Sequence, residues 1–207
     1  FIFTLSQNGT GGGSRNFHRW ARLYQVKDGQ GSRMTLLNNW ENTFFDFDQQ
    51  KLGALMGEAK DLGVDMFLLD DGWFGNGENA RNNDHAGLGD WEVNHEKLPG
   101  GIAALVDSAK KNGVKFGIWI EPEMVNPKSL LFKKHPDWVI KQPNRDTYYF
   151  RNQLVLDMGN PKVQDYVFGV VDRIMTENPD VAFFKWDCNS PITNVYSPYQ
   201  GKNQGQL

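Results

Sequence analysis

Three stretches of the chain repeat one arrangement of apolar and polar positions. Leu62-Gly63-Val64-Asp65-Met66-Phe67-Leu68-Leu69 runs into Asp70-Asp71, and Asn112-Gly113-Val114-Lys115-Phe116-Gly117-Ile118-Trp119-Ile120 runs into Glu121-Pro122-Glu123. Asn178-Pro179-Asp180 leads into Val181-Ala182-Phe183-Phe184-Lys185-Trp186, which runs into Asp187. Each is a helix stop, a near-continuous hydrophobic run of strand length, and then carboxylates at the run's C-terminal end. Such runs predict strands buried on both faces, as in a parallel sheet. Leu36-Leu37-Asn38-Asn39-Trp40 is predicted as the first strand of the series.

Helical periodicity fills the gaps between these runs. Asp48 predicts the N-cap of a helix whose apolar face is Leu52, Leu55, Met56, Ala59 and Leu62. Ile102, Leu105, Val106 and Ala109 form a second stripe, stopped at Gly113. Asn126-Pro127 predicts the opening of a shorter helix that ends before His135-Pro136. Asn160-Pro161 opens the clearest helix, with Val163, Tyr166, Val167, Val170, Val171 and Ile174 at helical spacing and a stop at Asn178-Pro179.

Alternating β and α units with acidic strand ends predict an α/β fold, either a (β/α)8 barrel or an open doubly wound sheet. The first strand is not followed by a Gly-rich phosphate loop, which favours the barrel. Residues 34–207 hold about the first four βα units of a partial TIM (β/α)8 barrel, roughly half of the usual ~250 residues. With its polar stretch from Tyr199 to Leu207, the chain is expected to be a piece of a larger enzyme. Residues 1–33 read as the end of a preceding domain and a linker. There, Gly9 to Ser14 predicts a flexible connector, Phe17, Trp20, Ala21 and Tyr24 a short helical stretch, and Asp28-Gly29 a turn. Residues 72–99 form a long polar excursion after the second strand, placed by a barrel on its active face.

Composition narrows the function. With 39% hydrophobic and 23% charged residues among 207, the chain is an ordinary globular one. A net charge of -3 gives no basic footprint for nucleic acid, and no apolar stretch approaches a membrane span. His18, His85, His95 and His135 form no ligand pair, and Asp70-Asp71 lacks the phosphate-binding element a magnesium site would use. Neither a metal nor a cofactor is therefore expected. Cys188, the single cysteine, is predicted to be a small buried residue on the outer face of its strand rather than a nucleophile, since no histidine lies near it in sequence.

The segment from Val181 to Asn189 concentrates the chemistry. Strand alternation puts Lys185, Asp187 and Asn189 on one face, with Phe184, Trp186 and Cys188 on the other. A cation two residues before an anion at the end of a buried strand reads as a catalytic carboxylate with its partner, Lys185 keeping Asp187 ionised. Asp70, Asp71, Glu121, Glu123 and Asp187 are expected to converge at one end of the barrel. Several carboxylates, a lysine and tryptophans in one cleft suit a polyol, because carboxylates bind hydroxyls through charge-assisted hydrogen bonds. Gly117 shares a strand face with Trp119 and Glu121, and its missing side chain leaves room inside the barrel.

Six motifs in order carry a family resemblance. They are Asn38-Asn39-Trp40-Glu41, Leu69-Asp70-Asp71-Gly72-Trp73-Phe74, Gly89-Asp90-Trp91, the run from Gly117 to Met124, Arg151-Asn152-Gln153 and the run from Lys185 to Asn189. From about Asn16 to Ser197 the chain resembles the α-galactosidases of glycoside hydrolase family 36. The resemblance implies release of terminal α-linked galactose from oligosaccharides by a retaining mechanism, with Asp187 as nucleophile. It further implies that Asp70 and Asp71 bind the 4- and 6-hydroxyls, that Lys185 and Arg151 contact ring hydroxyls, that Asn189 acts near the 2-hydroxyl, and that Trp40 and Trp119 wall the pocket. The family's acid/base aspartate lies on a later strand, so it is not in this chain. Residues 1–33 become the end of an N-terminal β-sandwich domain. The same resemblance suggests a homo-oligomeric parent, often a tetramer, in bacterial cytoplasm or periplasm. Alternatives are a galactosyltransferase of the raffinose synthase type, an enzyme with a roomier site for N-acetylgalactosamine, and a non-catalytic carbohydrate-binding fragment.

Overall fold

The structure is a computed structural model that describes residues 1–193 and 195–201. The chain divides into two compact units, Phe1–Met34 and Thr35–Leu207. The first unit is built on helix α1 (Gly9–Tyr24). The connector expected at Gly9 to Ser14 is instead the first turns of this helix. Its conformation is fixed locally, because Asn16 donates to the Thr4 hydroxyl at 2.9 Å and to the Leu5 carbonyl at 3.3 Å. Gly12 is buried where a Cβ would collide with the Ser6 side chain, so the glycines that suggested flexibility serve close approach.

In the second unit a four-stranded parallel sheet runs in the order β1 (Leu36–Asn38), β2 (Met66–Leu69), β3 (Lys115–Ile120) and β6 (Val181–Trp186). Helix α2 (Trp40–Thr43) is a single turn after β1, and α3 (Gln49–Asp61) and α4 (Gly101–Lys111) return the chain to β2 and β3. Between β3 and β6 come a small antiparallel pair, β4 (Met124–Val125) with β5 (Leu154–Val155), helix α5 (Leu130–Lys134) and helix α6 (Pro161–Glu177). This is the α/β arrangement of a partial (β/α)8 barrel: adjacent parallel strands in chain order, joined through helices.

Register sorts the side chains into two faces. Leu68, Gly117 and Phe183 lie in one row across the sheet, and Trp119 pairs with Lys185. Residues two positions further along share that face, so Asp70, Glu121 and Asp187 stack above the rows toward the C-terminal end. On the opposite face Phe67, Leu69, Phe116, Ile118 and Ile120 pack against Leu52, Leu55, Met56, Ile102, Leu105 and Ala109 of the helices. Gly117 keeps the inner row close: a Cβ there would lie 2.9 Å from Leu68 Cδ1. The room expected at Gly117 is thus taken by its neighbours' side chains.

Further expectations are revised. Leu62 is the C-cap of α3 and is 71% exposed, because the helix face has rotated away from the core by that point. Asn126 does not open α5; Ser129 caps it, accepting from Phe132 N at 3.0 Å. The β6 strand is not buried on both faces, since it lies at the sheet edge and leaves Phe183 and Trp186 exposed. Cys188 is likewise exposed rather than buried. The 72–99 excursion is more than a polar loop, for Trp73, Phe74, Leu88, Trp91 and Leu98 insert into the main core. Of the stretch from Tyr199 to Leu207, residues 202–207 lie outside the described residues.

Candidate active site

Asp70 and Asp71 follow directly on β2, where the ladder ends and side chains become free to bond. Both are buried. Asp70 is anchored through its backbone, its N–H donating to Asn39 Oδ1 at 2.7 Å. One carboxylate oxygen, Oδ2, accepts from Lys185 Nζ at 2.8 Å and from the Asn38 side-chain amide. Lys185 therefore reaches across β3 to Asp70, and is not the direct partner of Asp187 that sequence spacing suggested. The register explains this: the Lys185 Cα lies opposite Trp119, one strand from β2, and its long stem spans the remaining width.

Asp71 meets a cation that the sequence reading missed. Arg81 is 1% exposed and grips Asp71 from two sides, Nε to Oδ1 at 3.0 Å and Nη2 to Oδ2 at 2.8 Å. Burial pushes the Asp71 carboxyl up, and the Arg81 guanidinium opposes that shift. Arg81 Nη2 also bonds Asp84 at 3.2 Å, and Asp84 accepts from Arg151 Nη2 at 3.1 Å. Asp71, Arg81, Asp84 and Arg151 thus alternate in sign along one chain of contacts. Arg151 and Asn152 occupy the two central positions of a tight turn closed by Phe150 and Gln153, both at positive φ (50° and 59°). Arginine is uncommon there, and such backbone strain gathers at functional sites. The signal for Arg81 was faint: one cation among polar residues, followed by Gly87, whose Cβ would lie 2.7 Å from Arg81 Cβ.

The third group forms around Asp187. Its Oδ2 accepts from Trp119 Nε1 at 3.0 Å and Asn189 Nδ2 at 2.9 Å, and Oδ1 accepts from Cys188 N at 3.0 Å. Burial pulls the Asp187 carboxyl up, but these three donors, with the Lys185 charge last, hold it below the usual carboxylate range. Trp119, only 2% exposed, is held in turn by Trp73, whose Nε1 donates to the Trp119 carbonyl at 2.9 Å. Glu121 is buried beside this group and Gln153 Nε2 reaches it at 3.3 Å. Glu123 points to the other face and accepts from Trp186 Nε1 at 2.8 Å. The Cys188 thiol, though exposed, is pushed up by partial desolvation from its neighbours and by the charges of Glu123, Glu121 and Asp187, which disfavours a thiolate.

Trp40 stands at the end of β1 beside Asn38, its ring edge-on to Phe44 and Phe45 at 5.2 and 5.0 Å. In the Gly89-Asp90-Trp91 motif, Asp90 accepts from Leu130 N and Leu131 N and so seats α5, while the Trp91 ring lies 6.2 Å from that of Trp119 and 6.0 Å from that of Trp73. Among the described residues, no group of three or more His, Cys, Asp or Glu side chains is arranged to hold a metal ion, and no helix is long and apolar enough to cross a membrane.

Carboxylates, a lysine and tryptophans gather at the C-terminal ends of adjacent parallel strands, the end at which barrel enzymes build their sites. Comparison with known proteins gives the family. The melibiase family model matches residues 1–206. The α-galactosidase AgaA of Geobacillus stearothermophilus is 39% identical over 201 residues, covering 95% of this chain and 26% of the relative. The α-galactosidase Mel36A of Lactobacillus acidophilus is 38% identical over 208 residues, covering 99% and 28%. The crystal structure of AgaA, a family 36 α-galactosidase, superimposes with a TM-score of 0.84 at 40% identity over 90% of this chain and 26% of that one. A variant of AgaA in complex with stachyose gives a TM-score of 0.87 at 37% identity, covering 93% and 26%. The chain belongs to the melibiase family, of the glycoside hydrolase family 36 type. It spans about a quarter of the length of these relatives.

Proposed function

We propose that the protein carrying this chain is a retaining α-galactosidase and that Asp187 is its nucleophile. The observation that carries this reading is the setting of Asp187: a carboxylate just beyond β6, oriented by two side-chain donors on one oxygen that hold it below the usual carboxylate range. A half-buried carboxylate held in one orientation suits attack on an anomeric carbon. Its oxygen forms a bond to C1 as the bond to the leaving oxygen breaks, and a second carboxyl group protonates that oxygen. That group then takes a proton from water, which attacks C1 and releases galactose and the free Asp187 carboxylate.

In this reading the second carboxyl group is supplied from outside the chain. Asp70 and Lys185, already hydrogen-bonded, and Asp71 would receive galactose hydroxyls, with Arg151 contributing through the Asp84 bridge. Asn189 would lie near the 2-hydroxyl, and Trp40 and Trp119 would wall the site. Substrates of the raffinose and stachyose type are supported by the relatives, since variants of AgaA were crystallised with both sugars.

Covalent trapping tests the reading on the protein at its natural length. A fluorinated α-galactosyl donor with a strongly activated leaving group needs no acid assistance, so it isolates the attack by Asp187. The labelled peptide should contain Asp187, and Asp187→Asn should remove the label. A label on another residue, or none in the wild type, would overturn the assignment.

A further inference from the structure

The ladder between β3 and β6 does not stop where the strands do. Asp187 N still donates to the Ile120 carbonyl at 2.8 Å. Pro122 then forces the chain beyond Glu121 onto its own course. The next rung is made by a side chain: Asn189 N donates to Glu121 Oε1 at 2.6 Å. The same oxygen accepts from Gln153 Nε2 at 3.3 Å, and Glu121 is 1% exposed.

We propose that Glu121 is a positioning residue for Asp187, its side chain adding one rung to the β3–β6 ladder and so fixing Asn189 where it donates to the nucleophile. The inference rests on the reading of Asp187 as nucleophile. Both side-chain donors to Asp187 Oδ2 then depend on β3: Trp119 stands on the strand, and Asn189 is tied to its end through Glu121. With these two donors on one oxygen, the carboxylate plane is fixed before any sugar arrives, which is the condition for a near-attack geometry. Glu121 is ill-suited to act as the acid, since its accepting oxygen is engaged by two internal donors and the side chain is sealed from solvent. Burial first, then the charges of Asp187 and Asp71, push its carboxyl up. In either protonation state Glu121 offers an acceptor oxygen to Asn189 N. Among titratable groups, Lys185 on β6 acts on Asp187, and Asp187 and Asp71 both act on Glu121 at the end of β3.

Two substitutions in the protein at its natural length separate this role from a merely structural one. Glu121→Gln keeps an acceptor oxygen, whereas Glu121→Met keeps the volume and leaves the Asn189 N–H without a partner. The readouts are the titration of the Asp187 carboxyl by carbon NMR and its rate of labelling by the fluorinated donor. Glu121→Met should raise the titration midpoint and slow labelling, on the order of tenfold to a hundredfold, with little change in donor half-saturation. Glu121→Gln should restore both. Unchanged values in Glu121→Met overturn the proposal, and so does a Glu121→Gln variant as impaired as Glu121→Met, which would assign the effect to charge. If the wild type is not labelled at all, the nucleophile assignment falls and the titration alone decides the positioning role. Should Glu121→Met fail to fold, Asn189→Ala removes only the intermediate donor, and an unshifted Asp187 midpoint in that variant also overturns the proposal.

Discussion

A carboxylate 4% exposed, as Asp71 is, needs a cation of matching shape, and the planar fork of Arg81 supplies one. Replacing Arg81 by Met leaves that carboxylate buried without its counter-charge. The expected loss is about 3–5 kcal/mol of folding stability, read by chemical denaturation at neutral pH. Glu121 gives a second prediction, in pH. Its pKa is raised in the folded state, so the folded protein holds this proton to higher pH than the unfolded chain does. That contribution to stability is full below the unfolded value and is lost as pH rises through the folded one. Gln at this position mimics the protonated acid. Glu121→Gln should therefore gain thermal stability over the wild type as pH rises above the ordinary carboxyl value of 4.5, and a difference that stays constant with pH would refute the sign. At this scale Asp70, Asp71, Glu121 and Asp187 were legible, because an apolar run ending in acids is rare without a use. Arg81 was not, since a lone cation in a polar segment reads as solvated until the carboxylate facing it is known.

Elements were predicted most securely where a periodic apolar face and a cap agreed. Helix α6 starts at Asn160, which accepts from Lys162 N at 3.0 Å, and Val163, Val167, Val170 and Ile174 are its buried face. Asn160→Ala should cost about 1 kcal/mol, visible as a lower thermal midpoint with unchanged donor labelling at Asp187. Asn126 shows why the same signal failed once. Its side chain accepts from Leu88 N at 2.8 Å and donates to the Asp84 and Asn152 carbonyls, so it staples the loops that hold Arg81 and Arg151. An Asn-Pro pair marks a chain turn in either setting; which partners the amide finds depends on segments far away in sequence. The glycine-rich start of α1 failed for a related reason, since Asn16 and Ser6 set the local geometry there.

Over the whole molecule, the proposed chemistry needs two carboxyl groups, and only the attacking one is assigned here. The 207-residue chain by itself is accordingly expected to show little or no turnover of an aryl α-galactoside, measured by release of the phenol. Appreciable turnover would mean that a residue within the chain acts as acid. The sequence by itself determined the alternation of strands and helices, their parallel character and the end of the sheet at which the acids gather. Those follow from periodicity and parity, which are local properties of a chain. Tertiary structure decided which charge meets which: Lys185 with Asp70, Arg81 with Asp71, Trp119 and Asn189 with Asp187. Such pairings depend on strand register and loop return, and the adjacent Asp70 and Asp71 are committed to partners on a distant strand and in a loop.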